Sequence, residues 1–126
     1  MPVALIFGAN GISGTAMLET LTESQTFSKF IAISRRPPQL DHTDSRLTFV
    51  SIDILKSSIS EIAQKLREAG GEAVTHAFHY AYIEKKDEKE LDDVNRELLE
   101  KSLEATVQVA KGLEVFLLQT GYKVID

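Results

Sequence analysis

The sequence contains no cysteine. That excludes a disulfide, a thiolate zinc site and a catalytic thiol. It also has no surplus of positive charge: 14 Lys and Arg against 19 Asp and Glu leave a net −5. A surface that holds phosphate backbones is normally basic, so nucleic acid is not an expected partner. Long hydrophobic runs are absent too. The longest early one, Val3 to Phe7, has five residues and no basic flank before it. This is too short for a signal peptide core, and no segment reads as a membrane span. The expectation is a soluble cytoplasmic protein with no membrane partner. Histidine is scarce: His42, His76 and His79 make no metal motif, and no metal site is expected. His76 and His79 are three apart, so alternation along a strand puts them on opposite faces. There is no internal repeat and no low-complexity segment.

What is present fits one domain. The 126 residues are 43% hydrophobic and 26% charged, an ordinary balance for a globular chain. Strand and helix signals alternate along it. Val3–Phe7 is a continuous apolar run, as for a strand buried on both faces. A helical pattern starts near Ile12 and includes Ala16, Met17, Leu18 and Leu21. Phe30–Ser34 reads as the second strand, stopped by Arg35-Arg-Pro-Pro38, where neither proline can donate to a ladder. Residues 39–46 read as a loop, and Leu47–Ile52 as the third strand. Ser58 and Glu61 form a capping-box pattern before a helical stripe of Ile59, Ile62, Ala63 and Leu66, ended by Gly70-Gly71. Ala73–Tyr82 reads as the fourth strand. Leu91, Val94, Leu98, Ser102, Ala105 and Val109 form a long stripe capped at Asp87 and closed by Gly112, and Leu113–Leu118 reads as the fifth strand. Strand–helix alternation of this kind predicts an α/β, Rossmann-like, doubly wound parallel sheet of five strands in the order 3-2-1-4-5.

The chemistry sits at the strand ends. Gly8-Ala-Asn-Gly-Ile-Ser-Gly14 joins the first strand to the first helix. In such a turn Gly8 permits the tight bend, Gly11 leaves room for a pyrophosphate, and Gly14 lets the helix pack close; the helix N-terminus then offers free amides to phosphate. The Gly-Lys-Ser/Thr ending of a P-loop is absent. A dinucleotide site of NAD type usually has Asp or Glu at the end of the second strand, on the ribose 2′-hydroxyl. Here Ser34-Arg35-Arg36 stands in that place, and paired arginines suit the 2′-phosphate of NADP. Asp53, at the end of the third strand, reads equally as an adenine contact or as a turn residue.

With these pieces in view, the chain resembles an atypical short-chain dehydrogenase/reductase of the progesterone 5β-reductase and iridoid synthase-like group, including its fungal members. The matching pieces are Gly8–Gly14, Ser34-Arg-Arg-Pro37, Asp53-Ile54, His76-Ala-Phe-His-Tyr-Ala-Tyr82 and Gln119-Thr-Gly-Tyr-Lys123. The resemblance spans nearly the whole chain but only the N-terminal part of a family member. It implies a catalytic role for Lys123. It further implies NADP contacts from Asn10, Gly11 and Ile12, from Arg35 and Arg36, from Asp53 and Ile54, from Ala81 and Tyr82, and from Gln119. The implied reaction is hydride transfer to a carbonyl or enone of a terpenoid or steroid-like small molecule, in secondary metabolism, with a lysine–tyrosine pair at work. The family's catalytic tyrosine, sixth strand, later helices and most of its substrate pocket have no counterpart within these 126 residues. A non-catalytic NADP(H)-binding module and an inactive shortened product remain open as alternatives.

Two further expectations follow. Tyr82-Ile-Glu-Lys-Lys86 matches the Y-x-x-x-K spacing of ordinary short-chain dehydrogenases but falls after the fourth strand, where no catalytic helix belongs. Val115 and Leu117 lie on one side of the fifth strand, Phe116 and Leu118 on the other, and one pair should lack cover. Marginal stability or self-association through that strand is the expected result.

Overall fold

A computed structural model describes residues 2–38, 40 and 44–118. Its elements are β1 (Val3–Phe7), α1 (Ile12–Glu23), β2 (Lys29–Ser34), β3 (Leu47–Ser51), α2 (Ile59–Glu68), β4 (His76–His79), α3 (Glu88–Val109) and β5 (Val115–Leu118). The five strands form one parallel sheet in the order β3-β2-β1-β4-β5, the order expected from the sequence. β1 sits at the centre, and all five of its residues are buried. That is why its sequence is a continuous apolar run rather than an alternating one.

The pleat divides β1 between two cores. Val3, Leu5 and Phe7 face the layer that contains Ile62, Leu66, Leu98 and Val109 of α2 and α3. Ala4 and Ile6 face Leu18 and Leu21 of α1. The second face therefore has a single helix among the described residues, and its cover does not reach β5. Val115 is 40% exposed and Leu117 53%, both on the side away from α3, while Phe116 packs into the α2–α3 core. Each large apolar side chain left in water forgoes roughly 1.5–3 kcal/mol of burial.

The local signals hold where a side chain makes the end of a helix. Ser58 Oγ accepts from Glu61 N and Glu61 Oε1 accepts from Ser58 N, a complete capping box. The hydrogen bond donated by the Ser58 backbone N–H holds the Glu61 carboxyl below its usual range. Asp87 accepts from Glu90 N at the start of α3. Gly70, at φ +88°, ends α2 in the left-handed region. The α1 end is closed from a distance: Arg46 donates to the Thr22, Ser24 and Phe27 carbonyls and lies 5.1 Å over the Phe30 ring. Its hydrogen bond to Asp44 pulls that carboxyl down to about 2.

Several boundaries differ from expectation. β4 runs from His76 to His79, not from Ala73 to Tyr82. Gly71–Ala73 form a 3-10 turn, with Val74 N bonded to Gly71 O, so the strand cannot start there. After Tyr80 N bonds to Phe7 O the chain leaves the sheet to pass over Gly8. β5 starts at Val115 because Leu113 is held in a turn by the Ala110 carbonyl. α3 ends at Val109, before Gly112, with Ala110 as its cap. β3 stops at Ser51, one residue short of Ile52.

Candidate functional site

The glycine loop is shaped by backbone packing as well as by turn preference. Gly8 has φ +81°, and a Cβ there would stand 2.5 Å from Ala81 N. No other residue type fits both demands. Gly8 N and Ala9 N both donate to Ile33 O, which ties the loop to β2. A Cβ on Gly14 would run into the Gly8 carbonyl and lie 2.9 Å from Ala9 Cα. Gly14 therefore brings α1 onto the loop, as its place in the motif anticipates. Gly11 differs: a Cβ there would meet only Gly8 O, at 3.6 Å. Its surface is open, as a phosphate-binding position must be. Gly11 is also the N-cap of α1, with no side-chain cap and no acidic residue in the first turn. The amides and the positive end of the helix dipole are thus left for an anion. Asn10 is exposed, and Ile12 is 94% exposed beside them.

The β2 end carries the arginines. Ser34 is buried, and its hydroxyl donates to Arg36 O at 2.5 Å. Ser51 Oγ donates to Arg35 O at 3.0 Å. The β3 end turns through residues 53–57. Asp53 Oδ1 accepts from Lys56 N at 3.3 Å, and Asp53 O accepts from Ser57 Oγ at 2.7 Å. Asp53 is thus a turn residue, one of its two readings, and it also lines the cleft described below. Lys101 of α3 draws this turn together, donating to the carbonyls of Ile54, Leu55 and Ser57. The β4 end is held from α3 as well: Asn95 accepts from Ile83 N and donates to Ile83 O, both at 2.9 Å.

Two clefts open at this edge. The first lies where the strands splay and is lined by Gly8, Asn10, Gly11, Arg35, Asp53, Ile54, Ala81 and Tyr82 of the residues read from the sequence. Ile33, Ser34, Ile52, Tyr80, Ile83 and Leu98 complete it. The second runs along the start of α1 and is lined by Asn10, Gly11, Ile12, Thr15, Ala16, Glu19 and Arg36 through Pro38. Of the sequence-derived positions among the described residues, only Gly14 lines neither; it acts through packing. Gln119, Tyr122 and Lys123 lie outside the described residues, as does His42.

Sequence reasoning missed Leu98, which falls in a helical stripe and reads there as plain core. It missed Asn95 and Lys101 too, because both act on backbone atoms far away in the chain, which leaves no local pattern. Partial burial raises the Tyr80 phenol above its usual range. His79 is buried between Phe7 and Phe116, at ring distances of 5.9 and 6.3 Å. Its Nδ1 has no partner among the described residues, and burial lowers its pKa to about 4. His76 meets Phe27 on the other face, so the two histidines do diverge as the pleat requires. Tyr82 and Lys86 sit between β4 and α3, not on a helix. Among the described residues no group of acids and histidines could hold a metal ion, and no helix is long and apolar enough to cross a membrane.

Residues 4–126 match the PRISE-like Rossmann-fold domain family. The short chain dehydrogenase gsfE of Penicillium aethiopicum is 37% identical over 123 residues, covering 95% of this chain and 32% of that protein. The (S)-8-oxocitronellyl enol synthase ISY1 of Nepeta cataria is 33% identical over 124 residues, covering 96% of this chain and 31% of that protein. The chain thus spans about a third of the length of the curated relatives it matches. Among solved structures, a short chain dehydrogenase from Burkholderia cenocepacia in complex with NADP superposes with TM-score 0.73 at 21% identity, over 93% of this chain and 52% of that one. One from Leptospira borgpetersenii with bound NAD+ gives 0.75 at 20%, over 99% and 54%. At those identities the likeness is one of fold.

Proposed function

The chain belongs to the PRISE-like Rossmann-fold domain family, and from that premise we propose that it is the NADP(H)-binding part of a short-chain dehydrogenase/reductase. The observation that carries the cofactor choice is the end of β2. Arg35 and Arg36 occupy the strand-end position where an NAD site carries the carboxylate for the ribose 2′-hydroxyl, and they line the two clefts. Gly11, open above an uncapped helix start, suits the pyrophosphate. Ile52, Ile54 and Leu98 offer an apolar wall to the adenine, with Asp53 at its rim. Asn10, Ile12, Ala81, Tyr82 and Gln119 would complete the binding set.

When bound, NADPH supplies a hydride. The chain's own residues orient it: Gly8 brings the Ala81 backbone against the loop, and Asn95 and Lys101 hold the cleft walls from behind. Lys123 would hold the nicotinamide ribose and lower the pKa of a tyrosine that protonates or stabilises the reduced oxygen. We take the substrate to be a carbonyl or enone of a terpenoid or steroid-like compound in secondary metabolism. The 33% identity to a plant 8-oxocitronellyl enol synthase supports that class.

A second reading is a module that holds NADP(H) without chemistry. It is favoured by the loop position of Tyr82 and Lys86, a tyrosine–lysine pair that cannot serve as the catalytic one. Fluorescence titration with NADPH and with NADH tests the cofactor, and at least tenfold tighter NADPH binding is expected. Equal or absent binding overturns it. Turnover of NADPH with small enones tests the chemistry; activity that survives Lys123→Ala removes the role given to that lysine.

A further inference from the structure

β2 and β3 stop pairing at the same level, and the backbone just beyond decides where the two arginines go. The last bond between the strands is Ile52 N to Ser34 O, at 3.1 Å. Past it the strands splay to open the first cleft, so no neighbouring strand reaches the Arg35 and Arg36 carbonyls. Pro37 and Pro38 carry no N–H, so neither can turn back to donate to the Arg35 carbonyl. Among the described residues no backbone amide donates to either carbonyl. Two hydroxyls do. Ser51 Oγ reaches Arg35 O at 3.0 Å, and Ser34 Oγ, from a residue 7% exposed, reaches Arg36 O at 2.5 Å. The two adjacent arginines are thereby pinned one by one. Arg35 lines the cleft between the strand ends, and Arg36 lines the cleft along α1.

We propose that Ser34 and Ser51 are positioning residues for cofactor choice: their hydroxyls pin the Arg35–Arg36 backbone so that the two guanidinium groups are pre-organised around a 2′-phosphate. This rests on the NADP(H) reading above. Each hydroxyl proton is already given to a carbonyl, so the serines act through the backbone and not on the phosphate itself. A guanidinium on a flexible stem loses conformational entropy when an anion fixes it, and a pinned stem root has less to lose. NADH has no 2′-phosphate and does not draw on the pair. Loss of the pins should therefore weaken NADPH binding and leave NADH binding alone, an asymmetry that a general loss of stability does not produce.

The experiment measures Kd for NADPH and NADH on the wild-type chain and on Ser34→Ala, Ser51→Ala and the double variant. Ser51→Thr, which keeps the hydroxyl at an exposed strand end, serves as the rescue. In the double variant the NADPH preference should fall about tenfold, with NADH Kd changed by less than twofold, and Ser51→Thr should keep the wild-type ratio. If Ser34→Ala does not fold by circular dichroism, Ser51→Ala alone decides, with a threefold or greater loss expected. A variant that weakens both cofactors equally, or keeps full preference, overturns the proposal and leaves the NADP(H) reading standing. A wild-type chain that does not distinguish the two cofactors overturns both.

Discussion

Lowering the pH from 7 to 4.5 should destabilise this fold through one side chain. His79 is 2% exposed, packed between a tilted Phe7 ring and a stacked Phe116 ring, with Nδ1 unpartnered among the described residues. Burial lowers its pKa from 6.5 to about 4. Between those values the unfolded chain takes up a proton that the folded chain refuses, so stability falls as pH falls. One proton of difference is worth about 1.4 kcal/mol for each pH unit. The slope is only partly developed near each pKa, so from pH 6.5 to 4.5 the loss sums to about 2 kcal/mol. Against a domain stability of ~5–15 kcal/mol that is a large fraction, and it should lower the melting temperature by about 10 °C. The acidic groups held low by hydrogen bonds, Asp44 and Glu61, lose their contribution only below their ordinary values of 3.8 and 4.5. The part of the window above about pH 5.5 therefore isolates His79 from them. Denaturant titrations at half-unit pH steps measure the slope. His79→Phe, which keeps an aromatic ring between its two neighbours and removes the titration, should flatten it. A wild-type stability that is level across this window, or a slope that persists in His79→Phe, refutes the reasoning.

Gly8→Ala and Gly11→Ala should part company. The first is strained at φ +81° and clashes with Ala81 N, so it should cost the fold several kcal/mol in denaturant titration, whereas the second meets only Gly8 O at 3.6 Å and should keep stability while losing cofactor binding. Lys101→Met removes three bonds to the 54–57 carbonyls and should cost about 1–3 kcal/mol, read by thermal melts, with weaker adenine-nucleotide binding read by titration. The bare β5 face should drive self-association, visible by sedimentation at tens of micromolar protein. Val115→Thr with Leu117→Thr should return the chain to a monomer, and a wild-type chain that sediments as a monomer at all concentrations contradicts the prediction.

The sheet was legible because its signals are local and redundant. A five-residue apolar run, a glycine turn and a helical stripe specify β1, the loop and α1 within the first two dozen residues, and the crossover rule then leaves one economical strand order. Part of the cleft lining was legible for a related reason: Gly8 and Arg35 directly follow β1 and β2, and Asp53 stands two residues past β3, whereas Ala81 falls inside the segment read as strand and was named only through the family resemblance. Strand length was less so. Ala73 and Tyr82 have strand-like sequences, but a 3-10 turn below and the approach to Gly8 above confine β4 to four residues. Neither constraint is written in the segment itself.

The same edge explains why the supporting residues were hidden. A parallel sheet that splays to admit a nucleotide leaves carbonyls at its strand ends with no ladder partner, and a buried or half-buried carbonyl without a donor is costly. Water cannot serve where a nucleotide would lie, so side chains take that part. Ser51 serves the β2 end, Lys101 serves the turn after β3, and Asn95 serves the segment after β4. Two of the three come from α3, which crosses behind the first cleft with Leu98 in its wall. The helix thus has a role beyond covering the sheet: one face supplies the core while Asn95, Leu98 and Lys101, at spacings of three, address the site. A single substitution on α3 that leaves the core intact, such as Lys101→Met, should therefore change cofactor affinity without touching any residue the cofactor would contact.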